Sequence, residues 1–270
     1  MRIRKFVGST LLKCCVLACL SMNLAKATDV YVSNYSSGTI FKITAGGVPS
    51  TFATGLDGPR GLAFDTSGNL YSANYSGNTI SKISPEGVIT TFATGFSNPF
   101  GLAFDQDGFL YVSNYENHTI SKISKTGAVS TFARGLNHPI GLAFDSSKNL
   151  CVVNYGDNSI SKVNPAGEVT VFATGLSGPR GLGFDSSGNL YAANYSSNTV
   201  ARISPNGSVS VFAKGMSGPR GMAVDGLGNV YVANSTNNTI SKISPTGAVS
   251  TFLTGLNGPY GVAIPTTKPK

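Results

Sequence analysis

Apolar residues come in short runs separated by polar turns, and the arrangement recurs at a fixed interval. Gly61-Leu62-Ala63-Phe64-Asp65 returns at Gly101, Gly141, Gly181 and Gly221, each time 40 residues further on. Three more apolar or β-branched runs separate successive copies; in the first full unit they read LYSAN, TISKI and VITTFA. Gly, Asn, Asp and Pro punctuate them, as turns require. Beyond the N-terminal segment no stretch sustains a 3.6-residue apolar period, so almost no helix is expected. Each unit predicts four short antiparallel strands, a to d. Four strands in about 40 residues make one blade of a β-propeller.

The ends set the blade count. Asp29 to Ala53 supplies strands b, c and d with no strand a before them, and five complete units follow. Gly261-Val262-Ala263-Ile264 then supplies a lone strand a. It should complete the N-terminal blade and close the ring. The predicted fold is all-β, a six-bladed β-propeller over residues 28–264 with a tail at 265–270. Closure hides the sheet edges between first and last blades, and a monomer is expected. Phe52, Phe92, Phe132, Phe172, Phe212 and Phe252 recur in strand d and are predicted to form inter-blade core.

Residues 1–27 read as a secretory signal: Arg2, Arg4 and Lys5, an apolar stretch from Phe6 to Leu24, then Ala25-Lys26-Ala27 as a cleavage site. Lys13 interrupts the stretch, which argues against a membrane span. Two alternatives stay open. Val16-Leu17-Ala18-Cys19 resembles the bacterial lipoprotein motif and would put a lipid anchor on Cys19; the segment could also be a retained anchor. The expected location is secreted, extracellular or periplasmic.

This segment changes the charge. Five of the 20 basic residues lie in it and none of the 12 acidic ones, so the formal +8 becomes 15 − 12 = +3 after cleavage. No large basic field remains, which excludes nucleic acid as the expected partner. Cys151 is left as the only cysteine. It stands where other units have Tyr and is expected to be a buried, inert thiol.

The units, such as GLAFDSSGNLYAANYSSNTVARISPNG from Gly181 to Gly207, resemble NHL repeats of six-bladed secreted propellers. That group includes peptidyl-hydroxyglycine lyases, gluconolactonase-like hydrolases and ligand-sensing or protein-binding domains. Asn78 to Pro85, NTISKISP, is similar to the corresponding strand of streptogramin lyases. Where those carry a Trp-Phe-Thr-Glu-like segment, this chain has Tyr71-Ser72-Ala73-Asn74-Tyr75 and no tryptophan anywhere. The resemblance implies the fold and leaves enzyme and binding module both open.

Differences between units point to function. Antiparallel connectivity puts the d-to-a and b-to-c connections on one face. There the residue between Pro and Gly varies: Arg60, Phe100, Ile140, Arg180, Arg220 and Tyr260. Around a ring this gives a basic arc holding one aromatic and an apolar arc. Such a mouth suits an anionic glycan, carboxylate or peptide, because arginine forks match carboxylates. Asn74 and Tyr75, from recurring asparagine and tyrosine series, share the face and join the binding candidates; loop bracing is the alternative for both. The competing class is a metal-assisted hydrolase or lyase, for which His118, His138 and Glu116 are the candidate set. No cofactor is expected beyond that divalent metal. A structural extracellular role is the third possibility. Asp65 and its counterparts are read as turn braces.

Overall fold

The computed structural model describes residues 28–265. The signal, the Cys19 anchor and most of the tail fall outside them. The described residues form six four-stranded antiparallel sheets and contain no helix. No helix among them is therefore long and apolar enough to cross a membrane.

In blade 2 the strands run a Pro59–Phe64, b Leu70–Asn74, c Thr79–Ile83 and d Ile89–Thr94. Blades 3 to 6 repeat this order. Blade 1 takes b, c and d from Val30–Asn34, Thr39–Ile43 and Pro49–Ala53, and a from Pro259–Ala263. The closing pairs are Tyr31↔Ala263, Val32↔Val262 and Asn34↔Pro259. The C-terminal strand thus completes the N-terminal blade, as predicted.

Strand b is buried along its whole length in every blade. Its two faces meet two neighbouring blades, which explains its unbroken apolar run. The core lies between blades; one cluster joins Tyr71, Ala73 and Ile80 of blade 2 to Leu102, Leu110 and Val112 of blade 3. The strand-d phenylalanines are half-buried and sit at the outer margin of these clusters. Phe52 meets Tyr31 edge-on at 5.0 Å, and Tyr31 also meets Phe64 of the next blade at 4.9 Å. Such contacts add about 0.5–1.5 kcal/mol beyond burial.

The inner strands approach closely around the axis. A Cβ on any of Gly61, Gly101, Gly141, Gly181, Gly221 or Gly261 would collide with the backbone carbonyl of the next blade. The invariant glycine of the repeated motif is therefore a packing requirement of the ring.

Candidate functional site

Each strand a carries a β-bulge beside that glycine. In blade 2, Pro59 pairs with Asn74 and Leu62 with Ser72, so strand a spends one more residue than strand b. The same shift occurs in the other five blades. A bulge re-aims the side chain it carries, and here that side chain is the variable residue at the channel mouth.

Three of the six are arginines set among aromatic rings. The Arg60 guanidinium lies 3.3 Å from the Tyr75 ring centre, 4.6 Å from Phe100, 4.8 Å from Tyr260 and 5.1 Å from Tyr35. Arg180 stacks on Tyr155 and Tyr195 at 4.5 and 4.6 Å. Arg220 stacks on Tyr195 and Tyr260 at 5.0 and 4.4 Å. Each contact contributes about 0.5–2 kcal/mol, depending on desolvation. The tyrosines that follow the recurring asparagines thus form a belt that holds the arginines.

None of these arginines is ion-paired with a carboxylate, although Asp57 and Glu116 lie close enough to act on Tyr35 and Tyr115. The ion pairs among the described residues are Lys42–Asp29, Lys122–Asp105 and Lys162–Asp145, none of which involves a mouth arginine. Arg220 Nε donates to Ser235 Oγ at 2.7 Å, and Arg180 Nη1 to the Tyr260 hydroxyl at 3.4 Å. The Nε groups of Arg60 and Arg180 are buried without a hydrogen-bond partner. The cationic field reaches the phenols. Ser76 and, behind it, Arg60 hold Tyr35 below its ordinary pKa against the effect of burial. Burial, then Tyr155, Tyr75 and Glu116, push Tyr115 up while Arg180 opposes them.

Phe100, Ile140 and Tyr260 are buried at 6%, 0% and 7% exposure. Phe100 and Tyr260 meet at 5.3 Å over the channel. They line a cavity of about 70 Å³ together with Arg180, Arg220, the six ring glycines and, among others, Leu182, Met222 and Val262, whose side chains belong to inter-blade core clusters. Arg60 and Ile140 are outside that lining. Ile140 belongs to the core, so the apolar arc presents Phe100 to the channel.

Asn74 shares the face but is committed within its blade. It is 3% exposed, and its amide donates to Thr79 Oγ1 at 2.9 Å and Ser81 Oγ at 2.8 Å. Asn34, Asn114, Asn154, Asn194 and Asn234 also donate to strand-c hydroxyls. The asparagine ring braces blades; Tyr75 faces Arg60.

His118 and His138 lie 4.3 Å apart, ring to ring. Both have a left-handed backbone, with φ of 56° and 49°. His118 Nδ1 accepts the His138 backbone N–H at 3.1 Å. Asn78, Asn158, Asn198 and Asn238 perform the same task with Oδ1, accepting from residues 98, 178, 218 and 258 at 2.8–3.0 Å. His118 thus occupies an asparagine position in a clasp between two loops. Among the described residues no group of three or more His, Cys, Asp or Glu side chains could hold a metal ion, so Glu116 does not complete a set with the histidines. The residues present do not fit a metal centre. Asp65, Asp105, Asp145, Asp185 and Asp225 accept backbone N–H groups of their own turns, on the opposite face.

Residues 13–180 match the family described as Virginiamycin B lyase family, and residues 216–243 match the NHL repeat. No curated protein matches the chain. Among solved structures, a nidogen–laminin complex aligns at TM-score 0.80 and 20% identity, over 88% of this chain and 98% of that one. A catalytically inactive histidine-to-alanine variant of virginiamycin B lyase from Staphylococcus aureus, with quinupristin, aligns at 0.68 and 17%, over 89% and 93%. A gluconolactonase from Xanthomonas campestris aligns at 0.68 and 14%, over 84% and 85%. At these identities the likeness establishes the fold.

Proposed function

The chain belongs to the virginiamycin B lyase family, and from that premise we propose that it is a secreted or envelope-associated propeller that binds an anionic ligand at its channel mouth. The ligand is a carboxylated glycan, an acidic peptide or a small carboxylate with an apolar portion. One observation carries this reading: Arg60, Arg180 and Arg220 are stacked on the aromatic rings of the mouth and paired with no carboxylate. Arginines in that state offer forks to an incoming acid, and the rings offer a surface to its apolar part. The same reading covers a protein partner that presents an acidic side chain.

Ligand binding to the folded state raises the melting temperature by mass action. Thermal-shift titration with acidic glycans, acidic peptides and small carboxylates tests the reading. A shift that disappears when Arg60, Arg180 and Arg220 are all replaced by Gln supports it. Indifference of the wild type to every anion would refute it.

The family match favours a second reading, a lyase or hydrolase drawing on His118, His138 and Glu116. Against it stand the His118 clasp and the missing metal donors. Turnover of virginiamycin B by the purified protein, abolished by His138→Ala, would establish that alternative.

A further inference from the structure

Arg180 and Arg220 differ from Arg60 in where they converge. Both stack on Tyr195, and both engage Tyr260, one through its hydroxyl and the other through its ring. Both line the 70 Å³ cavity, whereas Arg60 sits outside it in a cage of four rings. Two guanidinium groups that share two phenols repel each other, and an anion between them would offset that repulsion. No acidic residue lines the cavity. The Nε groups of Arg60 and Arg180 are both buried and unpartnered, which is costly for a charged group; of the two, Arg180 lines the cavity.

We infer that the channel cavity is the head-group pocket for a single carboxylate, gripped by Arg180, Arg220 and the Tyr260 hydroxyl. This rests on the anion-binding reading above and narrows it. A water needs about 10–15 Å³ of cavity space, so the 70 Å³ cavity has room for a small polar group beside the two arginines. The donors decide its shape. A carboxylate presents two oxygens, which two forks and one phenol satisfy. A phosphate presents four oxygens to the same three groups, so it is the less well matched anion. The rest of the ligand then lies outward, against Phe100, Tyr260 and the caged Arg60. The predicted class is an organic acid whose carboxylate enters first and whose body stays on the aromatic belt.

The test is equilibrium titration of the purified protein with acetate, benzoate and inorganic phosphate, followed by tyrosine fluorescence and melting temperature. Benzoate and acetate should bind and phosphate should not. Arg180→Lys and Arg220→Lys keep the charge and the fold but lose the fork; each should weaken benzoate about tenfold to a hundredfold. Lys125→Gln removes one exposed positive charge on the opposite face, beside the Asp105 turn, and should leave affinity unchanged. If phosphate binds as well as benzoate, the carboxylate assignment is overturned while the anion site stands. If carboxylates bind and are lost in the triple Gln variant but ignore both Lys variants, the Arg180–Arg220 pocket is overturned and the wider mouth remains. If no anion binds, both readings fall.

Discussion

Gly261→Ala tests how the ring is closed. The added Cβ would overlap the Arg60 carbonyl oxygen of blade 2 and approach Ser33 Oγ to 2.9 Å. A backbone carbonyl cannot rotate away, so the closing strand or blade 2 must shift. That shift also breaks a relay in which the Gly261 N–H donates to Ser33 Oγ at 2.7 Å and Ser33 Oγ donates to the Arg60 carbonyl at 2.6 Å. Overpacking of this kind costs about 1–3 kcal/mol. Two strained or lost hydrogen bonds add about 0.5–1.5 kcal/mol each. The expected destabilisation is about 2–6 kcal/mol, and for a domain of this size each kcal/mol lowers Tm by roughly 2–4 °C. Differential scanning calorimetry should therefore show a drop of about 4–24 °C. Gly226→Ala is the internal control, because its Cβ would meet nothing within 4 Å; it should stay within about 0.5 kcal/mol of wild type. A Gly261→Ala protein melting within about 2 °C of the control would refute the glycine-ring account of closure.

The other predictions are briefer. His118→Asn should retain stability, because asparagine performs the same clasp in four other blades; His118→Ala should lose about 1 kcal/mol, measured by guanidinium denaturation. Burial, against Lys162 and with Asp145, pushes the Cys151 thiol up to about 12. In the chain beginning at Thr28, Ellman's reagent at pH 8 should find no native thiol and one equivalent after unfolding. Burial pulls Asp185 upward, but Asn189, Tyr191 and the Ser187 N–H outweigh it and hold it below the usual carboxylate value. Its stabilisation is full above the unfolded pKa and is lost as pH falls through the depressed folded one. The stability gap between wild type and Asp185→Asn should thus be constant near neutrality and shrink in acid; a gap that widens in acid would reverse the sign.

Most of the fold was legible because the 40-residue period exposes each strand six times, and because the missing and surplus strands a match. The mouth residues were legible for a related reason: Arg60, Phe100, Ile140, Arg180, Arg220 and Tyr260 vary at one position of an otherwise uniform unit. What the repeat alone could not rank was their depth. Ile140 belongs to the core, and Arg60 lies outside the cavity that Arg180 and Arg220 line. That depends on side-chain volume and on which rings fold over the channel, which no linear pattern encodes. Asn74 and His118 looked available for chemistry, yet Asn74 is held by strand-c hydroxyls of its own blade and His118 by the backbone of the neighbouring loop. The signal for His118 was present in its alignment with Asn78, Asn158, Asn198 and Asn238, a position where the backbone is left-handed and a side-chain acceptor caps the neighbouring loop. The tyrosine belt was visible as a series, but its partnership with the arginines required the bulges that turn them toward it.

The central claim is that the channel mouth is an anion site built by Arg180, Arg220 and Tyr260. Crystals soaked in 4-bromobenzoate test it directly, since the bromine marks where the acid sits. The account predicts one strong anomalous peak above the channel, with the carboxylate in the cavity between the two guanidinium groups and the ring against Phe100 and Tyr260. Bromine found only beside Lys125 and Lys148, exposed in turns of the opposite face, with nothing at the mouth, would contradict it.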